Sequence, residues 1–195
     1  MRKAKTNKIN FIAIEGLDGS GKSTISKSIA KKTESIYLTT PSEVDKEERE
    51  LYDSKGFSCL DRFLFYANCT VKTADQINEL IKSKKRVVLD RYFYSTLAYH
   101  LPFCKDINDE HINIFDNIIR PDLIIYVTAD YEITVNRINQ RTMIEKNDKL
   151  YLAQSPENHS LIHSQYLKSF DVPYLQVCNN GTLEDSITKI ERLLC

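Results

Sequence analysis

The sequence lacks several features that would place it in a specialised class of protein. Its 195 residues contain no tryptophan and no C-x-x-C pair, and no run approaches the roughly 18 apolar residues that a membrane span requires. Lysine plus arginine and aspartate plus glutamate number 27 each, so no net charge attracts nucleic acid or an anionic membrane. The basic start, MRKAKTNK, leads into a strand-like run without the apolar segment of a secretory signal. These absences predict a cytoplasmic protein that binds neither nucleic acid nor membrane.

Cysteine and histidine are sparse and scattered. The five cysteines are Cys59, Cys69, Cys104, Cys178 and Cys195. Their odd number and wide spacing predict reduced thiols, with neither a disulfide framework nor a zinc site. The four histidines also lack the spacing of metal ligands, so no structural metal is predicted.

The residues that are present suit one globular domain. The chain has a mass of 22.6 kDa, and 42% of its residues are apolar, with eleven tyrosines and eight phenylalanines. A chain of this size buries most of its surface around one core, and this composition argues against disorder. Residues 1–195 are therefore predicted to form a single domain.

Strand-like and helix-like segments alternate along the chain. Strands are predicted at 9–15, 36–40, 86–90, 122–128 and 174–177, and helices at 22–32, 60–84, 95–100, 109–119, 131–141, 156–169 and after Thr182. The charged stretch 42–56 is predicted to be irregular. The alternation predicts an α/β fold in which a parallel five-stranded sheet carries helices on both faces, with ligands bound beyond the carboxyl ends of the strands.

Three of the five glycines fall within EGLDGSGKST, Glu15–Thr24. Gly16–Ser23 satisfies G-x-x-x-x-G-K-[ST], and the segment lies between a predicted strand and a predicted helix, as in a P-loop NTPase fold. Glycines allow successive N–H groups and the positive end of the helix to surround an anion. Lys22 is then predicted to reach the β- and γ-phosphates of a nucleotide, and Ser23 to offer its hydroxyl to Mg²⁺.

Asp90 and Arg91 follow the RVVL strand and place an acid beside a base at its carboxyl end. Asp90 is placed like a carboxylate that holds Mg²⁺, and Arg91 has the fork-shaped donor set that bridges two phosphates. The alternative is a surface pair that only caps the strand. A guanine-reading Asn-Lys-x-Asp segment is absent, which argues against a GTPase.

Four segments form a recognisable set: FIAIEGLDGSGKST, LFYAN, VVLDRYFYSTLAYH and RPDLIIYVTADYEITVNRINQR. With them the chain resembles the thymidylate kinase family over almost its whole length. The DRY segment followed by Ser and Ala-Tyr is the most specific of the four. Deoxynucleoside kinases, a neighbouring family, usually show Glu-Arg-Ser at that strand end, so the segment points away from them.

The resemblance implies Mg-ATP-dependent transfer of a γ-phosphoryl group to a nucleoside monophosphate, with dTMP as the best single acceptor. ATP would be bound by Gly16, Gly19, Ser20, Gly21, Lys22, Ser23 and Thr24. The acceptor site would include Asp18 near the sugar, Ser95 and Tyr99, with Arg91 between the two phosphates and Asp90 on the metal. Relatives are usually homodimers. Two alternatives remain: the same chemistry on another nucleotide, and a nucleotide-binding regulatory protein without turnover.

The segment 142–150 falls where the family has its mobile lid, which excludes water from the reaction. Arg141 corresponds to a position that packs on the ATP base in relatives, although Arg137 and Arg141, four residues apart, also suit an exposed helix face. Lys149 best matches the catalytic arginine of the family lid. Its alternative is a solvated lysine.

Three positions on the acceptor side depart from the family pattern. Thr39-Thr40-Pro41 replaces Arg-Glu-Pro or Arg-Phe-Pro, Cys69 replaces the arginine after LFYAN, and Tyr151 replaces a glutamate. Arg49, within the run KEERE, either faces the acceptor phosphate or is solvated. If Cys69 faces the acceptor base, its weak S–H donor predicts relaxed or altered acceptor choice. The alternative is a Cys69 that packs in the core away from any ligand.

Overall fold

A five-stranded, all-parallel sheet organises the chain in the computed structural model, which describes residues 9–53, 56–142, 152 and 155–194. The strand order is β2-β3-β1-β4-β5, formed by β1 (Phe11–Gly16), β2 (Ile36–Thr39), β3 (Val87–Asp90), β4 (Leu123–Thr128) and β5 (Tyr174–Cys178). The α-helices are α1 (Lys22–Lys32), α2 (Lys46–Tyr52), α3 (Cys59–Lys82), α4 (Phe93–His100), α5 (Asp109–Ile112), α6 (Tyr131–Asn139), α7 (Pro156–Ser169) and α8 (Leu183–Leu194). The predicted fold class is confirmed.

The two faces of the sheet carry separate apolar cores, because successive side chains of a strand point to opposite faces. On β1, Ile12 and Ile14 pack with Ile25 and Ile29 of α1. Phe11 and Ala13 belong to the other core, which lies beneath α3, α4 and α7. Both cores include residues of β3 and β4. The central strands are therefore buried on both faces, as expected of a parallel sheet.

The carboxyl ends of the three strands β1, β2 and β3 meet at one edge of the sheet. Asp90, the last residue of β3, lies opposite Ile14 of β1 and Thr39 of β2 in the ladder. Arg91 continues from this point, and its N–H donates to the carbonyl of Ile14 at 3.0 Å. The register therefore brings the P-loop, which follows β1, next to the Asp-Arg pair that follows β3.

Helix α3 begins at a capping box. Ser58 Oγ accepts from the N–H of Asp61 at 3.0 Å, and the Asp61 carboxylate accepts from the N–H of Ser58 at the same distance. The buried face of the helix includes Phe63, Ala67 and Ile77, which pack onto the sheet. In the described part of the chain, neither α3 nor any other helix is long and apolar enough to cross a membrane.

The stretch 42–56, predicted to be irregular, contains a 3-10 helix at Glu43–Asp45 followed by α2. Ser42 Oγ donates to the Asp45 carboxylate at 2.5 Å and fixes the start of this segment. The ring of Tyr52 at the end of α2 stacks on Phe65 of α3, with 4.7 Å between ring centroids. Tertiary packing therefore stabilises a helix that is too charged and too short to be recognised from its pattern.

The predicted helix at 109–119 is shorter in the structure. Helix α5 ends at Ile112, and a 3-10 helix occupies Asn113–Phe115. Arg120 Nη1 donates to the carbonyls of Phe115 and Ile118 at 2.7 and 3.0 Å. These carbonyls therefore have a side-chain partner in place of the N–H groups of a continuing helix.

Two of the cysteines predicted to be reduced, Cys59 and Cys104, form a disulfide. The prediction of reduced thiols is wrong for this pair. The two residues are 45 apart in sequence, with their Cα atoms 5.7 Å apart where the start of α3 passes the segment after α4. Sequence spacing alone gives no sign of this contact. Cys69 is a buried free thiol and Cys178 an exposed one.

Candidate active site

The P-loop has a backbone that only glycine accommodates at two positions. Gly19 and Gly21 adopt φ angles of 76° and 92°, in the left-handed region. A Cβ atom on Gly19 would lie 2.5 Å from the carbonyl oxygen of Thr134, and one on Gly21 would lie 2.4 Å from Nδ2 of Asn179. Gly21 is the N-cap of α1, so the first N–H groups of that helix are available to an anion.

One cavity of about 600 Å³ opens at the edge of the sheet beside this loop. It brings together nine of the side chains predicted from the sequence: Asp18, Lys22, Ser23, Arg49, Asp90, Arg91, Ser95, Tyr99 and Arg141. The remaining predicted P-loop residues, Gly16, Gly19, Ser20, Gly21 and Thr24, lie in or next to the same loop. The predicted donor and acceptor sites therefore share a single cavity.

Lys22, Ser23, Asp90 and Arg91 form what we call the phosphate end of the cavity, with Asp18 between the two cations. Lys22 Nζ donates to the Leu17 carbonyl at 3.2 Å and lies 3.3 Å from Asp18 Oδ1. Arg91 Nη2 donates to the same Asp18 oxygen. Two cations thus share one carboxylate, and such a group attracts a further anion.

Burial and charge act on the titratable groups at the phosphate end. Burial opposes ionisation of Asp18, but Arg91 and Lys22 outweigh it and hold the pKa of Asp18 well below its usual range. Burial and the neighbouring Arg91 lower the pKa of Lys22, against the opposing effect of Asp18 and Asp90. Asp18 is therefore ionised at neutral pH and anchors both cations.

Arg91 is held in one orientation from several sides. Its backbone has a φ of 70°, a conformation that costs free energy for any residue with a Cβ atom. Its Nη1 donates to Ser95 Oγ at 3.1 Å, and its guanidinium lies over the ring of Tyr99 at 5.3 Å from the centroid. The Tyr99 hydroxyl donates to Asp18 Oδ2 at 3.2 Å. Ser95 and Tyr99 therefore position the two groups that form the central ion pair.

Glu15 lies behind this arrangement and was missed by the sequence analysis. It is fully buried, and it accepts hydrogen bonds from Ser95 Oγ at 2.5 Å and from the N–H of Tyr92 at 2.8 Å. Burial raises the pKa of Glu15 to about 7, against those hydrogen bonds and the charge of Arg91. A charged residue at the end of the apolar strand INFIAIE is the signal that could have identified it.

Asp90 has a carboxylate oxygen that is available to bind a cation. Its Oδ2 accepts from the Tyr37 hydroxyl at 3.3 Å, whereas its Oδ1 is buried and has no hydrogen-bond partner among the residues that the structure describes. Ser23 lines the same cavity and is exposed. A buried carboxylate oxygen and a nearby hydroxyl are the ligand types that Mg²⁺ prefers, so these two residues fit the predicted metal site.

The opposite side of the cavity is formed by α3. We call this side the α3 wall; it consists of Arg62 and Tyr66, one helical turn apart, and the Cys59–Cys104 disulfide. Asp53, at the end of α2, accepts from the Tyr66 hydroxyl at 3.0 Å and lies 3.4 Å from Arg62 Nη2. Neither α3 side chain was predicted from the sequence, where their four-residue spacing is the only signal.

The structure does not bring Cys69 to this cavity. Cys69 is 2% exposed and lines a separate cavity between α2 and α3, together with Tyr52 and Phe65. Burial raises the pKa of its thiol to about 12. This is the core-packed alternative for Cys69, and the physical reason is that α2, which was predicted to be irregular, covers this part of α3. Lys149 and all of the predicted lid segment 142–150 except its first residue lie outside the described residues.

Comparison with known proteins gives consistent matches. The thymidylate kinase family model matches residues 14–174. The chain is 35% identical to a protein named "Probable thymidylate kinase" from Picrophilus torridus over 201 residues, which cover 94% of this chain and 93% of the relative. A protein of the same name from Methanocaldococcus jannaschii is 35% identical over 148 residues, covering 74% of this chain and 77% of that protein.

Solved structures agree on the fold. The thymidylate kinase from Candida albicans superposes with a TM-score of 0.71 at 21% identity, covering 96% of this chain and 91% of that one. The deoxyadenosine kinase from M. mycoides, solved with bound dATP, superposes with a TM-score of 0.72 at 20% identity, covering 94% and 98%. The fold is thus common to both kinds of kinase, whereas the family model and the sequence identities select one. The chain belongs to the thymidylate kinase family.

Proposed function

We propose that the cavity transfers the γ-phosphoryl group of ATP to the phosphate of dTMP, yielding dTDP and ADP. The chain is an ATP-dependent phosphotransferase of the thymidylate kinase family. The observation that carries the proposal is the sharing of Asp18 between Lys22 and Arg91. It places a second cation beyond the P-loop, where the phosphate of an acceptor would approach the phosphates of a donor.

The donor side is assigned to the P-loop and the start of α1. N–H groups of the P-loop and of the first turn of α1 bind the phosphates of ATP, since Gly21 is the N-cap of that helix and the helix N-terminus favours an anion. Lys22 follows the charge that moves toward the β–γ bridging oxygen. Its ammonium, now on Asp18 and the Leu17 carbonyl, exchanges these contacts for phosphate oxygens.

The acceptor side is assigned to Arg91 with Asp18, Arg49, Ser95 and Tyr99. Arg91 neutralises charge between the two phosphates, and its fixed orientation avoids reorganisation during the reaction. Asp18 approaches the acceptor sugar, and Arg49 faces the acceptor phosphate from its place in the cavity lining. No general base is required, because the acceptor phosphate is largely ionised at neutral pH and needs only alignment.

Ser23 and Asp90 would hold Mg²⁺, as the free Oδ1 of Asp90 suggests. When bound, the ion neutralises charge on the β- and γ-phosphates of the nucleotide. Arg141 lines the cavity, and its charge contributes to the low pKa of Asp18. Its contact with the ATP base stays a prediction, as do the replacement of a lid arginine by Lys149, the single domain, the homodimer and the cytoplasmic location.

An acceptor panel tests the proposal directly. Release of ADP from Mg-ATP is measured with dTMP, dUMP, dCMP and dGMP, and without any acceptor. We expect ADP formation to require an acceptor and dTMP to give the highest kcat/KM. ATP binding without acceptor-dependent ADP formation would instead favour the alternative, a nucleotide-binding regulatory protein. Turnover with an acceptor other than dTMP as the best substrate would keep the chemistry and change the substrate.

A further inference from the structure

Helix α3 directs two polar side chains into the cavity at positions that the reaction chemistry does not use. Arg62 and Tyr66 are four residues apart, so they lie on one face of the helix one turn from each other. Cys69 lies further along α3 and lines the separate cavity beneath α2. The α3 wall therefore presents a guanidinium and a phenol to whatever occupies this side of the cavity.

The guanidinium of Arg62 is held in place by its neighbours. Its Nη2 lies 3.4 Å from Oδ1 of Asp53, a carboxylate that is almost completely buried. The hydroxyl of Tyr66 donates to the two oxygens of the same carboxylate, at 3.2 and 3.0 Å. About one third of the Arg62 side chain remains exposed, and within the described part of the chain its buried Nε has no hydrogen-bond partner. Arg62 therefore offers N–H donors to the cavity from a guanidinium that is anchored on a buried carboxylate.

The α3 wall holds a single ion pair, whereas the phosphate end holds two cations and two carboxylates. Arg62 is balanced by Asp53, so the pair has no net charge. His100, which lines the same cavity, is neutral at pH 7 because burial lowers its pKa to about 4. Its Nδ1 lies 2.8 Å from the Thr96 carbonyl and, in the neutral ring, donates to it. A wall whose one cation is already paired with a carboxylate, and which offers N–H donors, suits a neutral polar group better than a phosphate.

We propose that Arg62, positioned by Asp53 and Tyr66, donates a hydrogen bond to a keto oxygen of the acceptor base and so selects keto over amino bases. The proposal rests on the proposed function, because it assumes that a nucleotide acceptor occupies the cavity. Its geometric basis is helix α4, which lines the cavity between the two regions. At the phosphate end, Ser95 and Tyr99 of α4 contact Arg91 and Asp18. At the α3 wall, His100 of the same helix lies 5.6 Å from Tyr66 between ring centroids.

The donors of arginine determine which bases the site prefers. A guanidinium has N–H donors and no acceptor, so it pairs with the O4 oxygen of thymine or uracil. The amino group that cytosine carries at the same ring position presents hydrogens to those donors and leaves them unpaired. Sites that hydrogen-bond a substrate group discriminate far more strongly than sites that rely on apolar shape. The expected signature is therefore a preference for dTMP and dUMP over dCMP.

The test compares Arg62→Met with wild-type protein. Methionine has an unbranched apolar side chain like the aliphatic part of arginine, and it has no hydrogen-bond donor. We measure kcat/KM for dTMP and for dCMP, and KM for ATP, at saturating partner substrate. The ratio of the dTMP value to the dCMP value is expected to fall by about tenfold or more, with KM for ATP changed by less than about twofold. Lys72→Met is the matched control: it removes one exposed cation from the same helix and should leave the ratio unchanged.

Arg62→Lys provides a second variant if methionine prevents folding, since it keeps a charge for Asp53 and one donor group. It should retain part of the preference for dTMP. An unchanged ratio in a folded Arg62 variant, or an equal loss for both acceptors and for ATP, would overturn the proposal while leaving phosphotransfer intact. A wild-type enzyme that uses dCMP as well as dTMP would overturn it too. Failure of the wild-type enzyme to phosphorylate any nucleotide would instead refute the proposed function.

Discussion

The phosphate end and the α3 wall face one cavity but are built in different ways. At the phosphate end, charged side chains come from loops at the carboxyl ends of β1 and β3, and one carboxylate, Asp18, is shared by Lys22 and Arg91. At the α3 wall, Arg62 is paired with its own carboxylate, and a disulfide cross-links the helix to the segment after α4. One region holds two cations and two carboxylates, whereas the other holds a single arginine–carboxylate pair.

If both proposals hold, this difference separates two tasks within one cavity. Stabilising charge that moves between phosphates needs cations that are only partly neutralised, fixed in a site that excludes water. Choosing among acceptors needs oriented hydrogen-bond donors that do not themselves attract phosphate. The variants below test whether the two regions are as independent as their construction suggests, beginning with the largest expected effect.

Arg91→Ala should have the largest effect on catalysis. An arginine that neutralises a transferring phosphoryl group contributes about 10³–10⁵-fold to kcat, and Arg91 is already preoriented by Ser95 and Tyr99. We expect kcat with dTMP to fall by at least about 10³-fold, while the Kd for ATP changes by less than about tenfold. Steady-state kinetics and equilibrium ATP binding measure the two quantities.

The control for Arg91 is Arg86→Ala, at the other end of β3, where Arg86 Nη1 donates to the Thr33 carbonyl at 3.3 Å. It removes an arginine next to the same strand without touching the cavity and should leave kcat unchanged. An equal loss of ATP affinity and rate in Arg91→Ala would place this arginine wholly on the donor side, and the phosphate end would then have no residue between the two substrates.

Lys22→Ala should lower kcat by about 10³-fold, because the ammonium stabilises charge that develops on the phosphates. The loss should be the same for every acceptor, since Lys22 belongs to the phosphate end and not to the α3 wall. Kinetics with dTMP and dCMP check both statements. Lys31→Ala, an exposed lysine of the same helix, is the control. A folded Lys22→Ala enzyme that keeps more than about a tenth of the wild-type rate would remove Lys22 from catalysis.

The two regions also differ in how much of them the sequence predicts. The phosphate end follows from contiguous motifs: Gly19 and Gly21 are required by local backbone geometry, and Asp90-Arg91 follows a strand whose partner in the sheet is fixed by the parallel order. Motifs of this kind and the order of buried strands can both be predicted from a sequence. The fold class was therefore predicted correctly, and these residues lie together at the predicted edge of the sheet.

The α3 wall depends on contacts between distant residues. Arg62 becomes part of the site because α2 delivers Asp53 to it, and α2 itself is stabilised by the packing of Tyr52 on α3. The pairing of Cys59 with Cys104 likewise depends on where α4 ends. Cys69, which the family resemblance placed at the base, is covered by α2 for the same reason. None of these contacts leaves a periodic or local signal in the sequence.

Removal of the disulfide tests whether the α3 wall is covalently held. In the chain-entropy description, a cross-link that closes a loop of 45 residues stabilises the folded state by about 4 kcal/mol at most. Cys59→Ser combined with Cys104→Ser should therefore lower the free energy of unfolding by about 2–4 kcal/mol in urea titrations, and a dithiol reductant should do the same to wild-type protein.

The same variant sharpens the comparison between the two regions, because KM for dTMP should rise more than KM for ATP. Cys178→Ser, which replaces an exposed free thiol, is the control for loss of a sulfur atom. Unfolding curves that coincide with and without reductant would mean that Cys59 and Cys104 are reduced in solution. The original sequence-based prediction would then hold for this pair, and the α3 wall would have no covalent link.

Glu15, which lies behind the phosphate end, should make the free energy of unfolding depend on pH. Its folded-state pKa of about 7 lies above the ordinary value of 4.5, because burial disfavours the charged form. The folded protein therefore binds this proton more tightly than the unfolded chain, so the stabilisation is complete below pH 4.5 and is lost as pH rises toward 7 and above. The difference between the two pKa values corresponds to about 3 kcal/mol.

Glu15→Gln removes this dependence and is the variant to measure. The free energy of unfolding of the variant minus that of wild-type protein should increase by about 3 kcal/mol from pH 4.5 to pH 8. A constant effect of the amide on stability does not alter this increase. Glu79→Gln, in the exposed ion pair with Lys82, is the control and should show no such trend. Parallel pH profiles for wild-type protein and Glu15→Gln would mean that Glu15 is ionised in the folded state despite its burial.

Cys69→Ala should have the smallest effect. It therefore distinguishes acceptor choice by Cys69 from acceptor choice by Arg62. The thiol is buried beneath α2 with Tyr52 and Phe65, so its loss should cost about 1 kcal/mol of stability through packing. The ratio of kcat/KM for dTMP to that for dCMP should stay within about twofold of the wild-type ratio, in contrast to the drop expected for Arg62→Met. A change beyond about tenfold in a folded Cys69→Ala enzyme would return Cys69 to the acceptor site. It would also show that acceptor choice is made along two turns of α3 and not by Arg62 alone.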